Sequence, residues 1–257
     1  MTAVLAQPAG RVRFRSEWRR VDSRWGSMVV NRFDAYLGWS FIAYGEYNLD
    51  EVRFLTGLLG PGDVVLDVGA NIGALTVPFA QVPGIGALHA WEPQPRVREL
   101  LEENVYLATA PGVVTVHAEA LGAEAGELHV PDLDYAALNN FGGVSLGDTG
   151  ETVVEVRTLD SYQLPRVDLL KADVEGMEAE VLRGARETIA RCRPSLYVEC
   201  DRPEKADELL ALLEELGYDH EPHWPPLYSR DNSFHNPNDL WGGVVSKNLI
   251  CRPRAAS

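Results

Sequence analysis

Residues 64–76 read VVLDVGANIGALT, and this stretch decides how the chain is expected to fold. The apolar run at its start is typical of a buried parallel strand, with Asp67 at the carboxyl end. Gly69 and Gly73 allow a sharp turn before a helix that we predict to begin near Ala74. In open α/β sheets, ligands bind at the carboxyl ends of the strands, above such turns. The stretch therefore predicts an α/β fold with a ligand site over the turn.

One residue of this turn indicates which kind of ligand to expect. Asn71 stands where the dinucleotide-binding fingerprint has a glycine. A pyrophosphate is bound by bare backbone N–H groups at a helix N-terminus, which the asparagine does not favour. Asp67 and Asn71 instead offer an acceptor and an amide, which suit a ligand with an ammonium group and no phosphate. S-adenosylmethionine is a ligand of that kind.

The composition is that of a globular, acidic protein. The chain has 257 residues, and 46% of them are hydrophobic, which is enough for one large domain with a sizeable core. The formal net charge is −15, from 23 basic and 38 acidic residues. Phosphate groups are bound by lysine and arginine, so this charge argues against nucleic-acid and anionic-membrane partners. We interpret the basic residues near the start as a solvated segment rather than a binding arm: Arg11, Arg13, Arg15, Arg19 and Arg20.

Several other classes of protein are disfavoured because the sequence lacks their motifs. Cys192, Cys200 and Cys251 are widely spaced, which argues against a disulfide framework and fits a reducing compartment. The six histidines show neither HxH nor HExxH spacing, so we expect no metal site. We find no apolar stretch of about 20 residues and no secretory signal, and therefore expect a cytoplasmic protein. The chain also lacks the GxSxG elbow of many hydrolases and the P-loop motif.

Strand-like and helix-like segments alternate from residue 50 onward, which predicts a mostly parallel, doubly wound sheet. Residues 1–49 are rich in aromatic side chains and form a predicted N-terminal extension to a domain at 50–257. Two β-like runs interrupt the alternation and define an insertion at about 122–160. Right-handed crossovers place the carboxyl ends of parallel strands on one edge of the sheet. That edge collects the acids that end the predicted core strands: Asp67, Glu92, Asp173 and Glu199.

Glu92 has the position of a ribose-binding carboxylate. It lies 25 residues after Asp67, at the end of the second predicted strand. A carboxylate there can accept hydrogen bonds from both hydroxyls of a ribose. A solvent-facing acid before a proline turn would have the same local pattern. Together with the turn at 67–73, we favour a nucleoside-containing ligand.

Asp173 and Glu175 form a pair of acids at the end of a later strand, where they share one face if the extended backbone continues. Paired carboxylates suit general-base chemistry, because repulsion and burial raise a pKa toward the working pH. The pair could also hold a divalent cation with Glu199 or Asp201, or complement a helix dipole. We interpret the pair as facing the substrate.

Two further segments are candidates for contact with a substrate. Residues 139–143 read NNFGG and could close over the site as a lid, although a plain turn would have the same composition. His223 and Trp224 open an aromatic-rich segment near the C-terminus. Aromatic side chains of this kind stack well on a sugar ring.

Taken together, these motifs resemble the FkbM family of S-adenosylmethionine-dependent methyltransferases. The resemblance is carried by DVGANIG at 67–73, WEPQP at 91–95, LLKADVEGMEAEVLRGA at 169–185 and SKNLICRPR at 246–254. Trp91 stands where phenylalanine is usual, and Ala172 where isoleucine or valine is usual. The resemblance implies a Rossmann-like class I methyltransferase fold and methyl transfer, commonly to a hydroxyl of a sugar or secondary metabolite.

The resemblance also implies roles for residues at the matching motif positions. The implied cofactor-binding residues are Glu46, Tyr47, Asp67, Gly69, Asn71, Gly73, Glu92, Glu119, Ala120 and Leu121. Within this set, the glycine turn would hold the methionine end of S-adenosylmethionine, Glu92 the ribose and residues 119–121 the adenine. The implied catalytic residues are Asp173 and Glu175. Our candidates for acceptor binding are Asn140, Glu199, His223 and Trp224.

We therefore expect an SN2 transfer of a methyl group to a hydroxyl of a small-molecule or glycan acceptor. An N- or carboxyl-methyltransferase acting on a small molecule or peptide is an alternative. A nicotinamide oxidoreductase is disfavoured by Asn71, and a non-catalytic cofactor-binding regulatory protein by the acids beside the turn. The aromatic N-terminal part is a candidate homodimer interface.

Overall fold

The computed structural model of the protein describes residues 17–255. The helices of this part are α1 (Leu37–Tyr44), α2 (Leu49–Thr56), α3 (Thr76–Ala80), α4 (Pro95–Ala108), α5 (Glu178–Arg183), α6 (Arg186–Cys192) and α7 (Pro203–Glu215). The strands are β1 (Trp18–Ser23), β2 (Gly26–Asn31), β3 (Val64–Val68), β4 (Ala87–Trp91), β5 (Val114–His117), β6 (Ala120–Leu121), β7 (Gly126–Val130), β8 (Thr152–Arg157), β9 (Leu169–Ala172), β10 (Ser195–Glu199), β11 (Tyr218–His223) and β12 (Asn248–Pro253). Arg11, Arg13 and Arg15 of the basic cluster lie outside the described residues, whereas Arg19 and Arg20 are exposed on β1.

Seven strands form the central sheet in the order β11-β12-β10-β9-β3-β4-β5. Five neighbouring strands, from β10 to β5, pair in parallel, whereas β12 runs antiparallel to both β10 and β11. The chain passes from β3 outward to β4 and β5, then returns to β9 on the other side of β3. Open α/β sheets bind ligands at such a reversal of strand order. The predicted mostly parallel, doubly wound sheet is confirmed.

The parallel strands are apolar because helices cover both faces of the sheet. Leu66 and Leu170 pack on one face, in a cluster with apolar residues of α5 and α7. Val65 and Leu169 pack on the opposite face, with apolar residues of α2 and α3. No helix in the described part of the chain is both long and apolar enough to cross a membrane.

The N-terminal hairpin β1–β2 is fixed to the domain by one buried amide side chain. Asn104 Oδ1 accepts a hydrogen bond from the Val29 backbone N–H at 2.6 Å. Asn104 Nδ2 donates to the carbonyl oxygens of Val29 at 3.0 Å and Ile72 at 2.8 Å. Met28 and Phe41 share an apolar cluster with Ile72. The described part of the predicted extension is therefore packed into the domain, and a homodimer through it stays a prediction.

A second, three-stranded sheet lies within and just before the predicted insertion. Its order is β6-β8-β7, with β7 and β8 antiparallel and β6 parallel to β8. The two β-like runs of the insertion are thus confirmed as strands. Because β6 already belongs to this small sheet, the departure from the regular alternation begins at Ala120, slightly earlier than predicted.

Candidate functional site

A cavity of about 560 Å³ opens at the carboxyl ends of the parallel strands. Turns after β3, β4, β9 and β10 contribute to its lining, together with residues from the loop 140–146 and the segment 244–248. This volume falls within the roughly 300–1,000 Å³ of small-molecule sites. The acids at the ends of the core strands all line the cavity: Asp67, Glu92, Asp173 and Glu199.

The turn after β3 depends on one glycine. Gly69 has a φ of 76°, and a Cβ there would lie 1.9 Å from the carbonyl oxygen of Asp173. Gly73 has a φ of 89°, but a Cβ there would meet Leu101 of α4, and Gly73 does not line the cavity. The structure therefore does not support the predicted contact of Gly73 with a cofactor. The helix α3 begins at Thr76, two residues later than predicted.

The carboxylate of Asp67 is fully buried and is held by two side chains. Oδ2 accepts a hydrogen bond from Thr76 Oγ1 at 2.6 Å, and Lys171 Nζ lies 3.1 Å from Oδ1. Lys171 Nζ also donates to the Gly69 carbonyl oxygen at 2.8 Å and lies 3.8 Å from Asp173 Oδ2. Burial acts to lower the pKa of Lys171, but the charges of Asp67 and Asp173 outweigh it and raise the pKa. Lys171 therefore stays charged and joins the turn after β3 to the acid after β9.

Glu92 is oriented by backbone N–H groups. Its Oε2 accepts from the Asn71 N–H at 3.0 Å, and its Oε1 accepts from the Gln94 N–H at 2.9 Å. Burial raises the pKa of Glu92 to about 7, although these two hydrogen bonds lower it. Asn71 has a φ of 50°, a left-handed conformation that asparagine tolerates well. Each carboxylate oxygen keeps the capacity to accept a further hydrogen bond from a diol.

Asp173, Glu175 and Glu199 each place a carboxylate oxygen within 4.8 Å of the other two. Burial, followed by the charge of Asp173, raises the pKa of Glu175 to about 7. Burial and the charges of Asp173 and Glu175 raise the pKa of Glu199 well above its usual range. Arg202 Nη2 donates to Glu175 Oε2 at 2.7 Å and offsets part of the repulsion. Burial and mutual repulsion therefore favour the protonated form of at least one carboxyl in this cluster.

The sequence predicted that the two catalytic acids would share one face of a strand. The structure shows a different arrangement. The strand β9 ends at Ala172, and Glu175 has a φ of 56°. A turn with a left-handed residue therefore brings Glu175 beside Asp173. The prediction of proximity holds, but its geometric reason was wrong.

The remaining predicted residues divide into two groups. Those that line the cavity are Tyr47, Glu119, Ala120, Leu121 and Asn140. Glu46 instead forms an ion pair with Arg24, and the side chain of Trp224 is 60% exposed. His223 Nδ1 lies 2.9 Å from the hydroxyl of Tyr197. Because Glu46, His223 and Trp224 lie outside the cavity lining, the structure does not support direct contact with a ligand for these three.

The loop predicted as a lid is held by hydrogen bonds at Asn139 and Phe141. The Ala35 N–H donates to the Asn139 carbonyl oxygen at 2.8 Å, and the Asn139 N–H donates to Phe33 at 3.0 Å. Phe141 is buried, and its carbonyl oxygen accepts a hydrogen bond from Gln94 Nε2 at 3.1 Å. The loop is therefore part of a fixed wall that also includes the N-terminal segment.

Lys171 and Glu51 line the cavity but received no role from the sequence. A lysine inside the apolar run 169–172 is a usable signal, since a buried lysine requires acidic partners. Glu51 carries no such signal, because it lies on an ordinary amphipathic helix. Its burial depends on how α2 docks against the sheet.

The residues around the cavity fit S-adenosylmethionine. Glu92 presents a carboxylate suited to a ribose, and the buried Ala120 and Leu121 provide an apolar wall suited to adenine. Eight acidic residues and two lysines line the cavity. Such a lining favours a ligand with sulfonium and ammonium groups and disfavours a pyrophosphate.

Comparisons with known proteins agree with this geometry. A model of the methyltransferase FkbM domain matches residues 67–219. The 31-O-demethyl-FK506 methyltransferase FkbM of Streptomyces tacrolimicus is 31% identical over 223 residues, which cover 72% of this chain and 84% of that protein. The hexuronic acid methyltransferase AglP of Haloferax volcanii is 30% identical over 136 residues, or 52% of this chain and 55% of that protein.

A solved structure shows the same fold. The crystal structure of a methyltransferase FkbM from Methylobacillus flagellatus superposes with a TM-score of 0.51 at 19% identity. The match covers 77% of this chain and 46% of that one, so this chain spans about half of that protein. The predicted class I methyltransferase fold is confirmed.

Proposed function

Because the chain belongs to the FkbM family of methyltransferases, we propose that it transfers the methyl group of S-adenosylmethionine to a hydroxyl of a small-molecule or glycan acceptor. The observation that carries the proposal is one cavity that contains both Glu92 and the acid cluster of Asp173, Glu175 and Glu199. One relative is named a 31-O-demethyl-FK506 methyltransferase, which supports an oxygen acceptor, and another is named for a hexuronic acid, which supports a sugar-like acceptor.

S-adenosylmethionine supplies an electrophilic methyl group on a positively charged sulfur. The residues of the chain contribute position and charge, and correct alignment of two reactants is a large part of the rate enhancement in such transfers. Glu92 would anchor the ribose through its two oriented oxygens. Asp173 or Glu175 would orient the acceptor hydroxyl and take its proton. The pKa of Glu175, raised to about 7 chiefly by burial, suits proton uptake near neutral pH.

The cofactor assignment is tested by thermal unfolding with S-adenosylhomocysteine and, in parallel, with NAD. We expect S-adenosylhomocysteine at about 100 times its Kd to stabilise the protein by roughly 2.7 kcal/mol, and NAD to have no effect. Stabilisation by NAD alone would overturn the assignment. A protein that responds to neither compound would contradict it as well.

The acceptor class is tested with S-adenosylmethionine that carries a trideuterated methyl group. The protein is incubated with panels of neutral glycosides, uronic acids and macrolide alcohols, and products with the added label are detected by mass spectrometry. We expect the label on an oxygen atom. Label found only on nitrogen, or on a carboxylate as an ester, would contradict the proposal.

The roles of the acids are tested with Asp173→Asn and Glu175→Gln. We expect each variant to keep its affinity for S-adenosylhomocysteine within about threefold while kcat falls by roughly 100-fold. Glu102→Gln, on an exposed residue of α4, is the matched control and should leave kcat unchanged. Full activity in both cavity variants would exclude them as proton acceptors.

A further inference from the structure

Glu51 is a buried carboxyl in the cavity that the proposed mechanism does not use. The residue lies on α2, is 5% exposed and lines the cavity. Its Oε2 accepts a hydrogen bond from Asn48 Nδ2, which also donates to Ser246 Oγ at 2.9 Å. Within residues 17–255, no basic side chain forms an ion pair with Glu51. A negative charge on Glu51 would therefore have no ion-pair partner among these residues.

The charged and titratable groups that face Glu51 lie on β3, β9 and β10, in the turn after β9 and in the segment just before α2. Asp173 and Asp67 repel its charge, Lys171 attracts it, and the hydroxyl of Tyr197 stabilises it by hydrogen bonding. The attraction is limited because Lys171 is already shared between Asp67 and Asp173. Burial, followed by repulsion from Asp173, raises the pKa of Glu51 to about 8. Tyr47 is also close, and burial together with Glu51 raises its pKa, so it stays neutral.

Tyr197 and His223 connect this carboxyl to the surface. The Tyr197 hydroxyl interacts with the Glu51 carboxyl on one side and lies 2.9 Å from His223 Nδ1 on the other. Phe54 stacks on the His223 ring with a centroid distance of 4.1 Å, which fixes the ring. His223 is partly exposed on β11, the edge strand of the sheet. Burial lowers the pKa of His223, so the ring readily passes a proton to water.

We propose that Glu51 releases its proton to solvent, through Tyr197 and His223, when a cation enters the cavity. The inference rests on the proposed function, because the cation is the sulfonium of S-adenosylmethionine. The O–H bond of Glu51 breaks and its proton moves to the Tyr197 oxygen, while the Tyr197 hydroxyl proton moves to His223 Nδ1. His223 then gives one proton to water. No electrons are exchanged, and the product is a carboxylate that balances the charge of the bound cation.

This coupling would make the cavity sensitive to the methylation state of the cofactor. S-adenosylhomocysteine has the same groups as S-adenosylmethionine except for the methyl and the positive charge on sulfur. After methyl transfer, the positive charge that favours ionised Glu51 is absent, and Glu51 binds a proton again. The ionised form of Glu51 favours the methyl donor over the product, since a group that responds to a ligand must also affect its affinity.

The test is titration calorimetry at about pH 7 in two buffers that differ in ionisation enthalpy, which reports the number of protons released on binding. A carboxyl with a pKa of about 8 is mostly protonated at this pH, so S-adenosylmethionine should release a large fraction of one proton from Glu51. S-adenosylhomocysteine should release much less. Glu51→Gln should remove most of the difference between the two ligands, and Glu102→Gln should preserve it.

The outcomes separate this inference from the proposed function. If both ligands bind but release equal numbers of protons, or if Glu51→Gln keeps the wild-type difference, the inference is overturned and the cofactor assignment stands. If neither ligand binds, the proposed function fails and the inference fails with it. Retained affinity of Glu51→Gln for S-adenosylhomocysteine shows that the variant is folded.

The route of the proton has its own test. Tyr197→Phe removes the hydroxyl but keeps the ring, and proton release is followed with a pH indicator after rapid mixing with S-adenosylmethionine. We expect the release to slow by about tenfold or more while its amplitude is kept. An unchanged rate would overturn the route through Tyr197.

Discussion

Lys171 Nζ lies 3.1 Å from Asp67 Oδ1, and the two residues are direct partners across the parallel strands β3 and β9. The same amine lies 3.8 Å from Asp173 Oδ2. One buried cation thus contacts both the acid before the turn after β3 and the acid after β9. A change at Lys171 should affect both the stability of the turn and the geometry of the site.

We expect Lys171→Met to lower the free energy of unfolding by roughly 3–5 kcal/mol, because it leaves the buried Asp67 without a cation. Urea denaturation measures this change. The double variant Asp67→Asn with Lys171→Met removes both charges and should recover part of the loss. If the double variant is less stable than Lys171→Met, the ion pair is not the source of the effect.

Gly69→Ala should destabilise the protein by about 3 kcal/mol or more, because the new methyl group would overlap the carbonyl oxygen of Asp173 at a φ of 76°. The matched control is Gly126→Ala, where a Cβ would meet nothing within 4 Å. We expect the control to change stability by less than about 1 kcal/mol. Thermal unfolding of the two variants compares them, and equal losses would argue against a special requirement at Gly69.

Glu92→Gln should weaken the binding of S-adenosylhomocysteine by roughly 10- to 100-fold. The substitution turns one acceptor oxygen into an amide that cannot accept from the N–H groups of the backbone, and charge-assisted hydrogen bonds of this kind contribute about 1.5–3 kcal/mol. Calorimetry gives the affinity, with Glu102→Gln as the charge-matched control on α4. Wild-type affinity in Glu92→Gln would place the ribose elsewhere.

The unfolding temperature of the ligand-free protein should fall between about pH 6.5 and pH 8.5. The pKa values of Glu175, about 7, and Glu51, about 8, both lie above the value of about 4.3 for an unfolded glutamate. The folded state therefore binds more protons in this interval, so the stability from these groups is lost as pH rises through their folded pKa values. This pH interval begins at the usual pKa of histidine, so histidines that are neutral in the folded state contribute little to the change in stability within it.

Thermal unfolding in a series of buffers measures this slope. Glu51→Gln should make it shallower, because glutamine does not titrate. A rise of the unfolding temperature over the interval would contradict the burial of these carboxyls, and an unchanged slope in the variant would exclude Glu51 as a contributor.

The parts of the site that could be predicted are those with a local cause. Asp67 and Gly69 are two residues apart, and the same short stretch predicts both the strand and the turn that position them. Glu92 was predictable for the same reason, since it ends an apolar strand before a proline. Alternation of such strands with helices was enough for the parallel sheet and for the edge on which the acids meet.

The parts that could not be predicted depend on contacts between distant segments. The partners of Lys171 follow from the register of β3 with β9, which lie about a hundred residues apart. Glu51 enters the cavity only because α2 docks on the sheet. His223 and Trp224 were predicted as acceptor-binding residues because aromatic side chains stack on sugar rings. In the structure, the edge strand β11 directs His223 to Tyr197 and leaves Trp224 exposed.

The backbone pairing of Ala35 with Asn139 has a consequence for how far the protein can be shortened. The family match begins at residue 67 and ends at residue 219, yet residues before and after it wall the cavity. A fragment trimmed to those limits would keep the motifs at 67–73, 91–95 and 169–185 but lose the one at 246–254. It would also lose the anchor of the 139–143 loop and the cover from 244–248. We expect such a fragment to bind its ligand poorly, because segments on both sides of the matched region form part of the cavity wall.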